Sequence, residues 1–438
     1  MSGDVLVIGG GLAGVAAAQT LGEAGVHVTL VDRADYHQFQ PLLYQVATSQ
    51  LPAEDIARPL RTIFASMPSV DVVVQGVARA SFADRTLTLD DGRSLSADHL
   101  VIAAGGRPNF FGIPGAREHA FPLYSVPDAE RLRRHHRALV DDEAAHGSAG
   151  PHARDIVVVG GGPTGVEVSG ALAELVAALK TQGRLPDDVR VHLVDRGHAV
   201  LGQFSSHAQE YAHHHLTKAG VELRLGTGVA AVHADRVELD DGTTLPTATV
   251  IWAGGESASL IAQDAGPSTG RGGRIDVRPD LGVQGFPGVW AVGDVANIPS
   301  GPEDGAPTLP QLGSVAQQSG RWAAQNILRS SQGDPVAPFH YKDKGIMAMI
   351  GRNAAVAEVG KHRHEVDGPL AFAAWLGVHA MLLSGVHSRT DAFLSWAWDY
   401  FDRDHAATVE SHDAPRRIAW GDDSEDVPHI DLDTPPQE

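Results

Sequence analysis

Two glycine clusters, each followed by a lone acid, are the residues of this chain best suited to chemistry. The first reads Gly9-Gly10-Gly11-Leu12-Ala13-Gly14, with Asp32 lying 23 residues after Gly9 and Arg33 next to it. The second reads Gly160-Gly161-Gly162-Pro163-Thr164-Gly165, with Asp195 lying 35 residues after Gly160. Glycines at these spacings let the chain turn tightly, bring backbone against a pyrophosphate, and pack a helix closely on a strand. An acid at the end of the next strand suits a ribose hydroxyl. Each cluster also has a later Asp-Asp-Gly turn (Asp90-Asp91-Gly92; Asp240-Asp241-Gly242) and a closing Ala-Gly-Gly (Ala104-Gly105-Gly106; Ala253-Gly254-Gly255). A lone cluster would be weak evidence; the ordered repeat predicts two dinucleotides held by one chain. Electrons can pass between two such cofactors, which points to a flavin (FAD) reduced by a nicotinamide.

The elements that must position these residues are equally legible. Val5–Ile8 and Ile156–Val159 are four-residue apolar runs, as expected of strands buried on both faces of a parallel sheet. Helix-forming sequence follows at once, at Val15-Ala16-Ala17-Ala18 and Val166-Glu167-Val168-Ser169, so free N–H groups and the helix dipole face the phosphates. In the second copy a helix over Ala171–Lys180 and a loop over Thr181–Asp188 fill the longer interval. Alternating stretches around the Asp-Asp-Gly turns predict β-hairpins.

The expected class is α/β, with two Rossmann-like dinucleotide-binding domains and a C-terminal α+β segment. The FAD domain is split over 1–120 and 256–330, with the NADH domain at 121–255 inserted. Residues 331–414 are expected to make dimer or membrane contacts, and 415–438 to form an acidic disordered tail. Residues Asp141 to Arg154 read as a flexible linker.

Composition narrows the chemistry. The net charge of −20 argues against nucleic acid as a partner. From Phe401 to Glu438 there are eleven acids against three arginines, with prolines at 415, 428, 435 and 436, a solvating composition. There are no cysteines, so neither a disulfide relay beside the flavin nor an iron–sulfur cluster is available. Electrons must then leave the flavin directly. A strand starting at Val5 leaves no room for a secretory signal. Leu370–Val386 is short for a membrane span and reads as a buried or interfacial helix. His213-His214-His215 point in different directions on a helix and make a poor metal site; no metal is expected.

Beyond the two clusters, several stretches resemble the type II NADH:quinone oxidoreductases, the non-pumping NADH dehydrogenases. They are Tyr36-His37-Gln38-Phe39-Gln40-Pro41-Leu42-Leu43-Tyr44-Gln45-Val46-Ala47, Gly160 to Glu167, Trp290-Ala291-Val292-Gly293-Asp294-Val295-Ala296, Met347 to Ala357 and Trp396-Ala397-Trp398-Asp399-Tyr400-Phe401. The resemblance covers roughly residues 3 to 401. It departs at Leu312-Gly313, which stand where the family carries Ala-Gln a few residues before its Gln-Gln pair (here Gln317-Gln318), and in the acidic C-terminus, where members often end in a basic segment. Anionic lipid would repel that acidity. Membrane attachment would then rest on Trp375, Leu376, Met381, Leu382, Leu383, Phe393, Leu394, Trp396 and Trp398.

The resemblance implies roles. Asp294 and Gly293 would bind the flavin's ribityl chain, with Val77 among the FAD contacts; the alternative for Asp294 is an ordinary turn aspartate. Glu167 would lie near nicotinamide and flavin; the alternative is a carboxylate stabilising a helix N-terminus. Gln317, with Gln318, would hydrogen-bond a quinone carbonyl, since neutral amides orient a neutral quinone without a buried charge; the alternative is two solvated glutamines at a helix start. Asp195 favours NADH over NADPH, an effect Arg196 would soften. The implied activity is NADH to FAD to quinone without proton pumping, at the cytoplasmic side of the cell membrane as a peripheral protein, or in the cytoplasm if the acidic tail abolishes membrane binding. Two rivals stay open: a soluble NADH-dependent reductase serving a carrier protein or oxygen, and a non-catalytic FAD/NADH-binding sensor.

Overall fold

Short apolar runs alternating with alanine-rich stretches build two strand–helix units in succession. The computed structural model describes residues 3–146, 154–301, 303, 305–360 and 362–382. The expected tail at 415–438 lies outside them. In chain order the first unit contains β1 (Val5–Ile8), α1 (Leu12–Glu23), β2 (Val28–Asp32), α2 (Leu43–Ala47), β3 (Val70–Val74), β4 (His99–Ile102) and β5 (Gly106–Pro108). The second contains β6 (Ala120–Pro122), α3 (Val126–His146), β7 (Ile156–Val159), α4 (Pro163–Thr181), β8 (Val191–Asp195), α5 (Ser206–Lys218), β9 (Val221–Leu225), β10 (Thr249–Trp252) and β11 (Glu256–Ala258). Then come β12 (Val289–Ala291), α6 (Gly313–Gln332), β13 (Gly345–Gly351), β14 (Ala354–Val359), β15 (His364–Asp367) and α7 (Gly368–Leu382).

Two five-stranded parallel sheets result, ordered β12-β4-β1-β2-β3 and β6-β10-β7-β8-β9. β1 and β7 are buried along their whole length, as all-apolar strands in a covered parallel sheet must be. β12 joins the first sheet from nearly two hundred residues away in sequence, alongside β4. Both Asp-Asp-Gly turns close antiparallel hairpins, at Thr86–Leu89 with Ser94–Ser96 and at Arg236–Leu239 with Thr244–Pro246.

One small element matters most for function. β5 follows the end of β4, β11 follows the end of β10, and the two pair antiparallel, Gly106 opposite Ala258 and Pro108 opposite Glu256. This ribbon ties the carboxyl-terminal edge of one sheet to that of the other. Open parallel sheets bind ligands at that edge.

Close backbone approaches fix the helices. A Cβ on Gly320 of α6 would lie 2.1 Å from the Ala13 carbonyl oxygen of α1, and one on Gly170 of α4 would lie 1.8 Å from that of Ile350 in β13. The second contact seats the antiparallel β13-β14-β15 sheet on the second unit.

Two expectations need correction. The linker expected from Asp141 is helical through His146, as the last turns of α3; 147–153 lie outside the described residues. Trp375 was expected to face lipid, yet it is fully buried, packed against Tyr44 and His379. Side chains beyond His379, and Leu383, Phe393, Leu394, Trp396 and Trp398, lie outside the description.

Candidate functional site: two phosphate cradles and a buried acid

The two glycine loops have the same geometry. Gly9 and Gly160 take φ of +104° and +113°, and a Cβ on either would lie 2.3 Å from the carbonyl oxygen of Ala103 or Ala253. A Cβ on Gly14 or Gly165 would lie 1.8 or 1.7 Å from the carbonyl oxygen of Gly9 or Gly160. Gly11 and Gly162 face open space, and no side chain caps α1 or α4, so the first-turn N–H groups are available to an anion. Leu12, Ala13, Pro163 and Thr164 form those first turns.

The acids brace these loops. Asp32 Oδ2 accepts from Gly10 N at 2.5 Å and Oδ1 from Ala34 N at 2.8 Å; Asp195 Oδ2 accepts from Gly161 N at 2.6 Å and Oδ1 from Gly197 N at 2.5 Å. Each oxygen keeps a second lone pair for a ribose hydroxyl. The opposite side of the same peptide is held too. Gly10 O accepts from His37 Nδ1 at 2.8 Å, and Gly161 O accepts from Leu201 N at 2.7 Å. Burial pushes the His37 imidazole's pKa down, so it stays neutral and donates through Nδ1. Arg33 and Arg196 are exposed beside the acids, and Val77 is half-buried at the start of its strand.

Where β12 ends, Gly293 N donates to Ser319 Oγ at 3.1 Å, and Gln311 Nε2 donates to Asp294 O at 3.1 Å. Asp294 Oδ1 is buried with no hydrogen-bond partner among the described residues. A buried acceptor left over in a native fold asks for a donor, and the hydroxyls of a ribityl chain are such donors. With the open loop at Gly11, this orphan makes the first cradle suit FAD, with Ala104, Gly105 and Gly106 closing it. Glu256 lies beside it on β11. Its Oε2 and the Tyr124 hydroxyl approach to 2.7 and 2.9 Å of where a Cβ on Gly106 would sit. Burial raises both carboxyls, and the charge on Asp294 raises Glu256 further, against the pull of Arg274. Both carboxyls therefore hold a proton more tightly than a solvated acid does.

Glu167 reaches inward from α4. Burial pushes its carboxyl up to about 8, although Met349 N (3.2 Å to Oε1) and the Trp375 side chain both hydrogen-bond to it. It is therefore protonated at neutral pH, unlike a carboxylate serving a helix N-terminus. Beside it, the buried Tyr44 hydroxyl accepts from Gln45 Nε2 at 3.0 Å. His379 stacks on Trp375 at 3.9 Å and donates from Nδ1 to Trp375 O at 2.8 Å, leaving Nε2 as an acceptor. Burial pushes this histidine down to about 4.

The two glutamines separate. Gln318 is tied at both ends of its amide to the backbone of Lys342, donating to O at 3.1 Å and accepting from N at 3.0 Å. Gln317 is half-buried, and its side chain makes no hydrogen bond among the described residues. A Cβ on Gly313 would lie 2.9 Å from Leu12 Cδ1, so the glycine there leaves room for the side chain that opens α1.

Sequence reasoning missed His37, Glu256, Tyr44, Gln311 and His379. His37 sits in a motif already noted, five residues past Asp32. Glu256 directly follows the second Ala-Gly-Gly, a charged residue at a strand end. Tyr44 lies in the same stretch as His37; for Gln311 and His379 no local signal exists. Among the described residues no group of three or more His, Cys, Asp or Glu is placed to hold a metal ion.

Comparison with known proteins places this arrangement. The family model for pyridine nucleotide-disulphide oxidoreductases matches residues 3–320. A type II NADH:quinone oxidoreductase of Mycobacterium tuberculosis, Ndh, is 35% identical over 413 residues, covering 90% of this chain and 87% of its own length. A second from the same organism, NdhA, is 36% identical over 424 residues, with 91% and 87% covered. Among solved structures, NDH2 of Plasmodium falciparum in complex with NADH superposes with a TM-score of 0.84 at 17% identity, covering 93% of this chain and all of that one. At that identity the likeness is one of fold.

Proposed function

The chain belongs to the pyridine nucleotide-disulphide oxidoreductase family and, within it, to the type II NADH:quinone oxidoreductases, and from that premise we propose an FAD-dependent enzyme that oxidises NADH and reduces a quinone. Without a cysteine, it is a member that cannot carry out the disulphide reaction in the family's name. Bound FAD supplies the redox chemistry, taking up a hydride and giving up two electrons. The protein's part is holding, orienting and protonating. The observation that carries this reading is the β5–β11 ribbon, which brings the carboxyl-terminal edges of two similarly built cradles together.

We assign residues 1–120 and 256–330 to the flavin half and 121–255 to the nicotinamide half. Gly9 to Gly14, Asp32, Gly105 and Asp294 would hold FAD; Gly160 to Gly165, Asp195 and Gly254 would hold NADH. Glu167, neutral and buried, is the group able to give up a proton as a reduced acceptor forms. Gln317 has a free amide for a quinone carbonyl, whereas Gln318 is a strut between α6 and Lys342. Gln317→Ala is therefore expected to raise the quinone KM about tenfold while NADH still bleaches the flavin at the wild-type rate. Gln318→Ala should cost ~1–2 kcal/mol of stability, the worth of two hydrogen bonds, and leave that KM near wild type. A panel of quinones, dyes and carrier proteins, assayed with both variants, tests the assignment. If Gln317→Ala slows every acceptor alike, Gln317 is not a quinone contact.

No helix among the described residues is long and apolar enough to cross a membrane. α7 nevertheless turns Leu370 and Val378 outward, with Ala373, Ala374 and Gly377 between them. We assign this face, within 331–414, to peripheral contact with the cytoplasmic leaflet, where a lipophilic acceptor is met. Leu370→Glu with Val378→Glu should lower binding to neutral phosphatidylcholine vesicles at least tenfold and leave turnover with a water-soluble quinone intact. Dimeric mass by light scattering, lost in the same variant, would assign the face to a second copy of the chain instead.

A further inference from the structure

The turn after β5 carries an aromatic residue that folding alone does not explain. Phe111 is 59% exposed, and its φ of +53° places it in the left-handed region, which strains a bulky side chain such as phenylalanine. The turn is still firmly fastened. Asn109 N donates to Gly255 O at 3.1 Å, Trp252 Nε1 donates to Asn109 O at 2.8 Å, and Asn109 Oδ1 accepts from Phe111 N at 2.9 Å. Its neighbour Phe110 does the packing, against Trp252 at 5.6 Å with the Arg117 guanidinium 5.7 Å over its ring. Phe111 is left outside. Its ring tip reaches 3.9 Å from where a Cβ on Gly255 would sit, and no other atom comes within 4 Å of that point. A strained, exposed phenylalanine thus overhangs bare glycine backbone at the end of β10.

The sheet order decides what lies there. β8 and β10 flank β7 on opposite sides. Asp195, ending β8, marks the adenosine half of an extended dinucleotide. The end of β10 therefore receives the other half, beside the ribbon that leads to the flavin cradle. We propose that Phe111 is a contact residue for the nicotinamide–ribose half of NADH, an apolar wall that fixes the ring at the meeting point of the two cradles. Strain held in place by three hydrogen bonds at a ligand edge is where such a residue is expected. The inference rests on the assignment of the Gly160 loop to NADH.

The test uses FAD-loaded protein and two probes, ADP-ribose and a non-reducing NADH analogue, titrated by intrinsic fluorescence. Phe111→Ala is expected to bind the analogue about tenfold more weakly and ADP-ribose as wild type does, because only the nicotinamide half meets the ring. Phe111→Tyr should restore the analogue's affinity. Phe111→Gly should show the same selective loss with a Tm no lower than wild type, since glycine adopts that φ without strain. Unchanged analogue binding in Phe111→Ala, or equal loss for both probes, overturns the inference. Wild-type protein that binds neither probe would instead overturn the cradle assignment, and this inference with it.

Discussion

Gly165→Ala is expected to yield a yellow protein that NADH does not bleach, and Gly14→Ala a colourless one that still binds ADP-ribose. The added methyl in either variant would lie under 2 Å from the carbonyl oxygen of Gly160 or Gly9, far inside contact distance. The helix must then back away from the strand and take its first-turn N–H groups with it. A pyrophosphate held by backbone donors and the helix dipole would lose most of that support. Binding at the altered cradle should weaken about a hundredfold or more, roughly 3 kcal/mol. The other cradle is built on a different sheet and should keep its affinity, which far-UV circular dichroism and the second ligand would confirm together. Loss of both ligands in each variant would mean that the cradles do not act separately.

The second large effect concerns Glu167. Its folded-state pKa of about 8 lies above its ordinary 4.5, so the folded protein holds this proton more tightly than the unfolded chain does. The stability it contributes is complete below pH 4.5 and is lost as the pH rises towards 8. Glu167→Gln keeps a neutral hydrogen-bonding group without that titration. Its Tm should match wild type at pH 5 and exceed it at pH 9. Function should move the other way. Delivery of electrons to quinone in the wild type should fall as the pH passes about 8. In Glu167→Gln it should be slow at every pH, by about a hundredfold, the low end for removing a positioned acid. Flavin reduction by NADH should be unaffected. Parallel pH profiles in the two proteins would remove Glu167 from the proton path.

These variants act on features that differ in how visible they are from residue order. The cradles are legible because their requirements are local: Gly9 and Gly160 must take positive φ, Gly14 and Gly165 must lack a Cβ, and each requirement leaves one residue type at a fixed spacing. The acids were legible by position, but their first task was not. Asp32 and Asp195 turn inward to brace Gly10 and Gly161, a contact 22 and 34 residues away in sequence. The braces on the opposite side of those peptides, a histidine in one copy and the Leu201 backbone in the other, share no residue type that a repeat search could find.

The buried cluster was the least legible part. Tyr44, Glu167, Met349 and Trp375 come from four elements spread over more than three hundred residues, brought together by the seating of β13 on Gly170 and the packing of Trp375 on Tyr44. Trp375 also shows the hazard of reading apolar residues without their helical phase. It faces the core, and the outward positions of α7 belong to Leu370 and Val378. The linker expectation failed for a related reason. Polar sequence such as 141–146 fits the last turns of a long helix as well as it fits a loop.

The central claim is that NADH and a quinone are served by one flavin with no sulfur between them. Anaerobic stopped-flow absorbance tests it directly: FAD-loaded protein is mixed with one equivalent of NADH and then with quinone. Loss of the flavin's visible absorbance in the first mix, and its full return in the second faster than with a bulk dye of similar potential, is the predicted result. A flavin that NADH leaves oxidised, or that quinone restores no faster than the dye, would contradict the account.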